Sequence, residues 1–192
     1  GQPIAVLEIG FGTGLNAFIT YLEALKSGQE IDYTGVEAYP VATDEAALLN
    51  YVGELDADAQ KDIFALMHSA EWETPIQLDK NFRLTKRQHN NLDGQTVQTH
   101  YKLIPLLMYF QDIDDSEAFD LIYFDAFGYH AQPELWSEEI FAKMYAALKK
   151  DGILVTYACR TVIKKAMLAV GFKVEKLPGP PGKREMLRAY KY

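Results

Sequence analysis

The feature that most constrains the fold of this chain is a glycine-rich turn between an apolar run and a helical pattern. Ile4–Ile9 is short and mostly apolar, as expected of a parallel strand buried on both faces. Over residues 15–25, apolar side chains recur at three- and four-residue spacing, which predicts a helix. Gly10, Gly12 and Gly14 lie between the two patterns. Strand, turn and helix therefore form one βα unit.

The same alternation of strand and helix patterns continues along the chain. Further strands are predicted at residues 31–37, 82–86, 119–125 and 153–158, and helices around residues 42–52, 57–68, 133–148 and 161–170. Residues 172–177 and 185–190 predict a closing strand pair around a segment rich in proline and glycine. The pattern indicates an α/β, Rossmann-like fold: a mostly parallel seven-stranded sheet, helices on both faces and a C-terminal antiparallel strand pair.

Length and composition predict one domain over residues 1–192, without a membrane span or a metal site. The chain is 48% apolar and 24% charged, and no apolar run approaches the roughly 18 residues that a membrane span needs. Its first residues show no basic region followed by an apolar stretch, so a cytoplasmic location is expected. Cys159 is the only cysteine, which excludes an internal disulfide and, with four scattered histidines, argues against structural zinc.

The glycine turn is a candidate cofactor site, because open α/β sheets bind ligands where a strand feeds a helix. The glycines of the turn let the backbone approach a ligand closely, and the helix offers free N–H groups. The dinucleotide pattern requires a further glycine at position 15, where this chain has Leu15. Glu8, just before the turn, favours a cationic ligand over a pyrophosphate.

Glu37 ends the second predicted strand beside the turn, where a carboxylate can accept hydrogen bonds from both hydroxyls of a ribose. S-adenosylmethionine (SAM) carries a ribose, an ammonium group and a sulfonium, and it carries no phosphate. Acidic groups at Glu8 and Glu37 match that ligand. The alternative is that either residue is an ordinary exposed loop carboxylate.

Asp125 ends another well-marked strand and begins a loop rich in aromatic residues. A carboxylate there can accept hydrogen bonds from an amine, and Phe127 or Tyr129 can offer a flat surface to a base. The alternative for these aromatic residues is packing in the core or at its rim, and Trp136 is expected in the core. We expect this loop to overhang the same crevice as the glycine turn.

Three blocks of the sequence resemble the methyltransferase part of the bifunctional bacterial enzymes that complete 5-methylaminomethyl-2-thiouridine at the tRNA wobble position. They are GFGTGLN at residues 10–16, FDAF with QPELW at residues 124–127 and 132–136, and GKREML at residues 182–187. The resemblance implies the SAM-dependent methyltransferase fold and an aminomethyl-uridine in tRNA as substrate. It implies that SAM is held by Glu8, Gly10, Gly12, Gly14 and Glu37, and the candidate cofactor set also includes Asn16 and Asp125.

The resemblance also assigns Asp125 a place between cofactor and acceptor, where it would act as an orienting group and proton acceptor. Phe127 and Tyr129, in the loop after Asp125, are the candidates for substrate contact. An acidic residue normally follows the third strand to meet the adenine. Here Asn90 and Asp93 are the alternatives, and Asn90 is included in the candidate cofactor set. Tyr129 departs from the family, which usually has proline there. The family's N-terminal hairpin is absent from this chain, as is a flavin-sized domain, so we expect a stand-alone methyltransferase and a separate flavin-dependent oxidoreductase.

Charge is unevenly distributed along the sequence. Residues 1–159 carry 10 Lys and Arg against 25 Asp and Glu, whereas residues 160–192 carry 9 against 2. Basic residues near the C-terminus are therefore candidates for tRNA phosphate contacts: Arg160, Lys164, Lys165, Lys183 and Arg184. Three alternatives remain: a SAM enzyme for a small free amine, a nicotinamide oxidoreductase, against which Leu15 weighs, and a noncatalytic RNA-binding module.

Overall fold

The computed structural model describes residues 2–88, 113–179, 182 and 184–192. These residues fall into two compact units, Gly1–Gln88 and His89–Tyr192. Of the predicted site residues, Asn90, its alternative Asp93, and Lys183 lie outside the described residues.

The first unit is a layer of strands with helices packed on it. Its strands are β1 (Ile4–Ile9), β2 (Ile31–Glu37), β3 (Ile76–Asp79) and β4 (Phe82–Gln88). Its helices are α1 (Leu15–Ser27), α2 (Thr43–Ala46), α3 (Tyr51–Glu54) and α4 (Lys61–Ser69), with a 3₁₀ turn at Asp58–Gln60. Strand β2 pairs in parallel with both β1 and β4, and β3 pairs antiparallel to β4.

An aromatic core holds α1 and α4 of this unit against its strands. The Phe18 ring of α1 lies 4.9 Å from the Phe64 ring of α4, measured between centroids. Tyr21, one turn further along α1, meets the edge of Phe82 at 5.6 Å, and Phe82 stacks on Tyr33 at the same separation. Aromatic pairs at these distances add to the stabilisation from apolar burial. Packing of this kind anchors α1, and thereby the turn that precedes it.

The second unit combines two parallel strands with an antiparallel pair. Its strands are β5 (Phe119–Phe124), β6 (Leu148–Thr156), β7 (Lys173–Pro178) and β8 (Glu185–Tyr190). Its helices are α5 (Glu138–Ala147) and α6 (Thr161–Ala169), with a 3₁₀ turn at Pro133–Trp136. Strands β5 and β6 are parallel, whereas β8 runs antiparallel to both β6 and β7.

Trp136 lies in the core of the second unit, which confirms its predicted position. Its ring contacts Phe124 of β5 at 5.1 Å, and Phe124 contacts Phe141 of α5 at 5.3 Å. The predicted helix through Trp136 begins later than expected. Ser137 caps α5, because its side chain accepts a hydrogen bond from the N–H of Ile140.

The predicted α/β fold with its C-terminal antiparallel pair is confirmed, and two details differ. The described residues form eight strands, because the short edge strand β3 adds to the predicted seven. The helix expected over residues 42–52 is divided into α2 and α3. Of these two helices, α2 buries only Ala46 and α3 buries no residue, so little tertiary packing supports a longer helix.

Candidate functional site

The glycine turn has a backbone that other residues adopt only with strain. Gly10, Gly12 and Gly14 have φ angles of 90°, 51° and 72°, all in the left-handed region. Gly14 is the N-cap of α1 and supplies no side-chain hydrogen bond to it. The first N–H groups of α1 therefore have no side-chain cap and can receive an anionic group of a ligand.

Phe11 anchors the turn to β2 through a glycine that sequence reasoning missed. A Cβ atom added to Gly35 would lie 2.4 Å from Cδ2 of the Phe11 ring, so only glycine fits at this place. The N–H groups of Gly10 and Phe11 both donate to the carbonyl of Val36 at 3.0 Å. The sequence did contain a signal for Gly35, because a glycine inside a strand often marks a close approach of another group.

Glu37 lies directly beside the glycine turn, as the sequence predicted. The Gly12 N–H donates to Oε2 of Glu37 at 2.7 Å, and the N–H groups of Ala38 and Tyr39 donate to Oε1, each at 2.8 Å. A carboxylate oxygen has two acceptor positions, so Oε1 is saturated and Oε2 retains one. Glu37 can therefore accept one further hydrogen bond, such as one from a ligand hydroxyl, without losing a protein contact.

Glu8 is buried beneath the turn, with 1% of its surface exposed. Its Oε1 accepts a hydrogen bond from Nδ2 of Asn16, and its Oε2 accepts one from the hydroxyl of Tyr33, both at 2.8 Å. The alternative of an ordinary exposed loop carboxylate is wrong for Glu8, and also for Glu37, which is 8% exposed. Glu8 holds Asn16 in the first turn of α1, so two of the predicted cofactor residues are in direct contact.

In the second unit, the loop that carries Asp125 is shaped by two side chains of the core. The indole N–H of Trp136 donates to the carbonyl of Phe127 at 3.0 Å. The Tyr157 hydroxyl donates to the carbonyl of Ala126 at 2.8 Å. With the backbone held in this way, Asp125 is exposed directly after β5, and Phe127 is 55% exposed.

Tyr157 is a second residue that sequence reasoning missed. Burial raises the pKa of its hydroxyl, and the negative charge of Asp125 raises that pKa further. The hydroxyl thus keeps its proton and remains a donor to Ala126. Its sequence signal was weak, because a single aromatic residue after a strand is more often simple packing.

Arg160 and Tyr129, which the sequence suggested separately, are in contact. The guanidinium carbon lies 5.1 Å from the centroid of the Tyr129 ring, and the guanidinium also contacts the imidazole of His130. Arg160 immediately precedes α6, which carries Lys164 and Lys165. In the described part of the chain neither lysine forms an ion pair, so both charges remain open to an anionic partner.

The remaining cations of the C-terminal stretch are partly neutralised within it. Nε of Arg188 lies 2.6 Å from Oε1 of Glu175, and Nζ of Lys176 lies 2.7 Å from Oε2 of Glu185. Arg184 lies just before β8, away in sequence from α6. The basic surface that the composition suggested is therefore concentrated at Arg160 and the start of α6.

Among residues 2–88, 113–179, 182 and 184–192, no cluster of His, Cys, Asp or Glu is arranged to hold a metal ion. No helix in those same ranges combines the length and the apolar composition that a membrane crossing requires.

Comparison with known proteins gives one family match and several relatives. A model of S-adenosyl-L-methionine-dependent methyltransferases matches residues 76–192. The chain is 30% identical, over 97% of its length, to the tRNA 5-methylaminomethyl-2-thiouridine biosynthesis bifunctional protein MnmC of Campylobacter fetus. It is 27% identical, again over 97% of its length, to the protein of the same name from Leptospira borgpetersenii. The chain spans only 28% and 26% of these two proteins.

Solved structures support the same fold. The structure of MNMC2 from Aquifex aeolicus matches 98% of this chain and 53% of its own, with a TM-score of 0.62 and 16% identity. Spermidine synthase from Thermotoga maritima matches 99% of this chain and 54% of its own, with a TM-score of 0.55 and 17% identity. At such identities the likeness concerns the fold alone.

Proposed function

Because the chain belongs to the family of S-adenosyl-L-methionine-dependent methyltransferases, we propose that it methylates 5-aminomethyl-(2-thio)uridine at the tRNA wobble position. The product is 5-methylaminomethyl-(2-thio)uridine. The observation that carries the proposal is the similarity, over 97% of the chain, to proteins named for the biosynthesis of that nucleoside. Asp125 is exposed on a loop whose backbone Trp136 and Tyr157 hold, so it can accept a hydrogen bond from the substrate amine.

The first unit offers partners for the carboxylate and the ribose of SAM. SAM supplies the methyl group, carried on a sulfonium. The uncapped N-terminus of α1 suits the methionine carboxylate. The free acceptor position on Oε2 of Glu37 suits a ribose hydroxyl, and Glu8 and Asn16 place polar groups beside the turn. We propose that Glu8 contributes by positioning Asn16, since its own carboxylate is buried.

Replacement of Glu37 by alanine is expected to weaken SAM binding by about tenfold or more. A hydrogen bond to a charged acceptor contributes about 1.5–3 kcal/mol, and the variant also loses the contact that holds the Gly12 N–H. Calorimetry with S-adenosylhomocysteine measures the effect. The control is Glu30→Ala, an exposed carboxylate just before the opposite end of β2. An unchanged dissociation constant in Glu37→Ala would show that another residue binds the ribose.

In the proposed reaction, the neutral primary amine of the nucleoside attacks the methyl carbon in line. A C–N bond forms as the C–S bond breaks, and the electron pair of that bond stays on the sulfur of S-adenosylhomocysteine. Asp125 accepts a hydrogen bond from the amine and then takes the proton that the methylated ammonium loses. Sulfur is a good leaving group, so positioning supplies much of the rate, with effects up to about 7–11 kcal/mol in favourable cases.

The second unit also has groups for the rest of the nucleic acid. The exposed ring of Phe127, two residues after Asp125, can stack on the uracil base. Tyr129 supports the guanidinium of Arg160, which is thereby directed to a phosphate. A separate flavin-dependent oxidoreductase would supply the aminomethyl precursor.

A direct test incubates the protein with labelled SAM and tRNA that lacks the final methyl group, followed by digestion to nucleosides. We expect the label in 5-methylaminomethyl-2-thiouridine. Label in a small free amine, with none in tRNA, would instead support the second candidate function. The net charge of −8 favours that candidate, because it does not favour indiscriminate contact with RNA.

Reversing the charges of Lys164 and Lys165 to glutamate is expected to raise the KM for tRNA and to leave SAM binding unchanged. Each lost phosphate contact reduces the magnitude of the negative slope of log affinity against log salt by about 0.7–0.9, so the loss of two contacts reduces it by about twice that. The control is the pair Lys80→Glu and Lys150→Glu, which makes the same change in net charge at exposed sites. Equal affinity for tRNA and equal salt slope in both double variants would show that Lys164 and Lys165 of α6 do not contact tRNA.

A further inference from the structure

A buried lysine lies under the glycine turn of the first unit. Lys86 of β4 is only 2% exposed. Its Nζ donates to the carbonyl of His68 at 2.7 Å and lies 4.7 Å from the centroid of the Trp72 ring. Within the residues that the structure describes, no carboxylate pairs with this ammonium group.

The charge of Lys86 persists at neutral pH. Burial lowers the pKa of Lys86 to about 8, so most molecules carry the ammonium form at pH 7. An ammonium group has three N–H donors. One of them donates to the His68 carbonyl, which leaves two. An ammonium that is buried without an anion is costly, and buried charges in proteins are normally paired. The first unit thus holds a cation whose remaining donors have no protein acceptor among the described residues.

His68 adds a second polar atom without a partner at the same place. Its Nε2 is buried and makes no hydrogen bond within the described part of the chain. Burial lowers the pKa of His68, and the charge of Lys86 lowers it further, so the ring is neutral at pH 7. The ring also lies against the turn, since a Cβ atom on Gly14 would be 3.2 Å from Nε2.

Lys86 and His68 line one cavity. Its volume is about 170 Å³, and its walls also include Gly12, Thr43 and Trp72. Since a water molecule occupies about 30 Å³ in the liquid, the cavity has room for a group of several heavy atoms. Because Gly12 forms part of the wall, a ligand in the cavity touches the backbone that Glu37 holds.

We propose that this cavity binds a small oxyanion, a phosphate or a carboxylate, with Lys86 as its counter-charge. The free N–H groups of Lys86 donate to the anion oxygens, and Nε2 of the neutral His68 ring, whose other nitrogen donates to the Thr13 backbone, accepts a hydrogen bond from a protonated phosphate oxygen. The anion comes either from solution or from the methionine carboxylate of the cofactor, for which the cavity would then replace the N-terminus of α1 as the binding site. The proposal does not depend on tRNA as the substrate.

The test is calorimetric titration of the full chain with inorganic phosphate and, separately, with acetate at pH 7. We expect one of the two to bind, with affinity reduced about tenfold or more in Lys86→Met, because a charged hydrogen bond is lost. His68→Phe keeps the ring packing and is expected to reduce the affinity for phosphate several-fold, because it removes the acceptor Nε2, and to leave the affinity for acetate unchanged. The control is Lys80→Met, which removes an exposed lysine of the same unit and should bind as the wild type does. Lys86→Met removes a buried charge that is costly to keep, together with its hydrogen bond to the His68 carbonyl, so we expect the midpoint of thermal unfolding to stay near that of the wild type.

A second titration in saturating S-adenosylhomocysteine identifies the source of the anion. Mutual exclusion assigns the cavity to the carboxylate of the cofactor, whereas simultaneous binding assigns it to a free anion. The proposal is overturned if neither phosphate nor acetate binds, or if the bound anion is held equally well by Lys86→Met. Neither of these results bears on the proposed methyl transfer to tRNA, so the anion site and the methyl transfer are tested separately.

Discussion

Replacement of Asp125 by asparagine is expected to lower methyl transfer by about a hundredfold or more, in the range found for loss of a general acid or base. The amide has the shape of the carboxylate but lacks its charge, so it neither orients the amine as strongly nor accepts its proton. The fold should persist, because the hydrogen bonds to the carbonyls of Ala126 and Phe127 come from Tyr157 and Trp136 and remain in place. Much of the affinity for SAM should also remain.

The measurement is kcat with saturating tRNA and SAM, beside the dissociation constant for S-adenosylhomocysteine. Glu134→Gln is the matched control, since it removes an exposed carboxylate from the same stretch of chain. A spectroscopic titration of Tyr157 gives an independent readout. The charge of Asp125 raises the pKa of Tyr157, so that pKa should fall in Asp125→Asn. Normal turnover in the variant would exclude Asp125 from the reaction.

Replacement of Gly12 by valine is expected to abolish SAM binding, with a loss of affinity of about a hundredfold or more. Gly12 has a φ of 51°, a conformation that costs a β-branched residue about 1–3 kcal/mol. An added Cβ would meet only the carbonyl of Gly10, at 3.8 Å, so the protein itself has room for the side chain. The valine would instead occupy the space that a ligand needs above the turn, and it would displace the N–H that Glu37 holds.

Gly28→Val separates backbone strain from loss of the site. Gly28 has a φ of 73° at the C-terminal end of α1, and a Cβ there meets nothing within 4 Å. Both variants should lower the midpoint of thermal unfolding by a similar amount, but only Gly12→Val should lose binding of S-adenosylhomocysteine by calorimetry. Equal affinity in Gly12→Val and the wild type would show that the cofactor does not lie over this turn.

The features that could be predicted from the sequence are those with a local signature. Strand β1, the glycine turn and α1 follow from a change of apolar period at a run of glycines. Because Glu8 and Glu37 fall at the ends of neighbouring parallel strands, their approach to the turn could be predicted as well, and the structure shows Glu37 bonded to Gly12. The two carboxylates and the family resemblance together indicated the cofactor, which periodicity alone could not do.

Other features depend on which residues meet across long stretches of chain. Sequence periodicity showed which segments form strands and helices. It indicated neither that Gly35 receives the ring of Phe11 nor that Tyr157 holds the carbonyl of Ala126. The pairing of Arg188 with Glu175 likewise depends on the register of β7 and β8, which reduces the basic surface that composition suggested.

Lys86 is the clearest case of a property that only the tertiary structure decided. In the sequence it closes the alternating run of residues 82–86, in phase with Phe82 and Leu84, and this alternation does not show which groups would surround a lysine, a residue that is mostly exposed in proteins. In the fold, the C-terminal end of α4 and the ring of Trp72 cover it, and its pKa falls to about 8. The sequence thus determined the local elements and the chemistry of the turn. The burial and the partners of individual charges were decided by packing, because they depend on atoms contributed by distant segments.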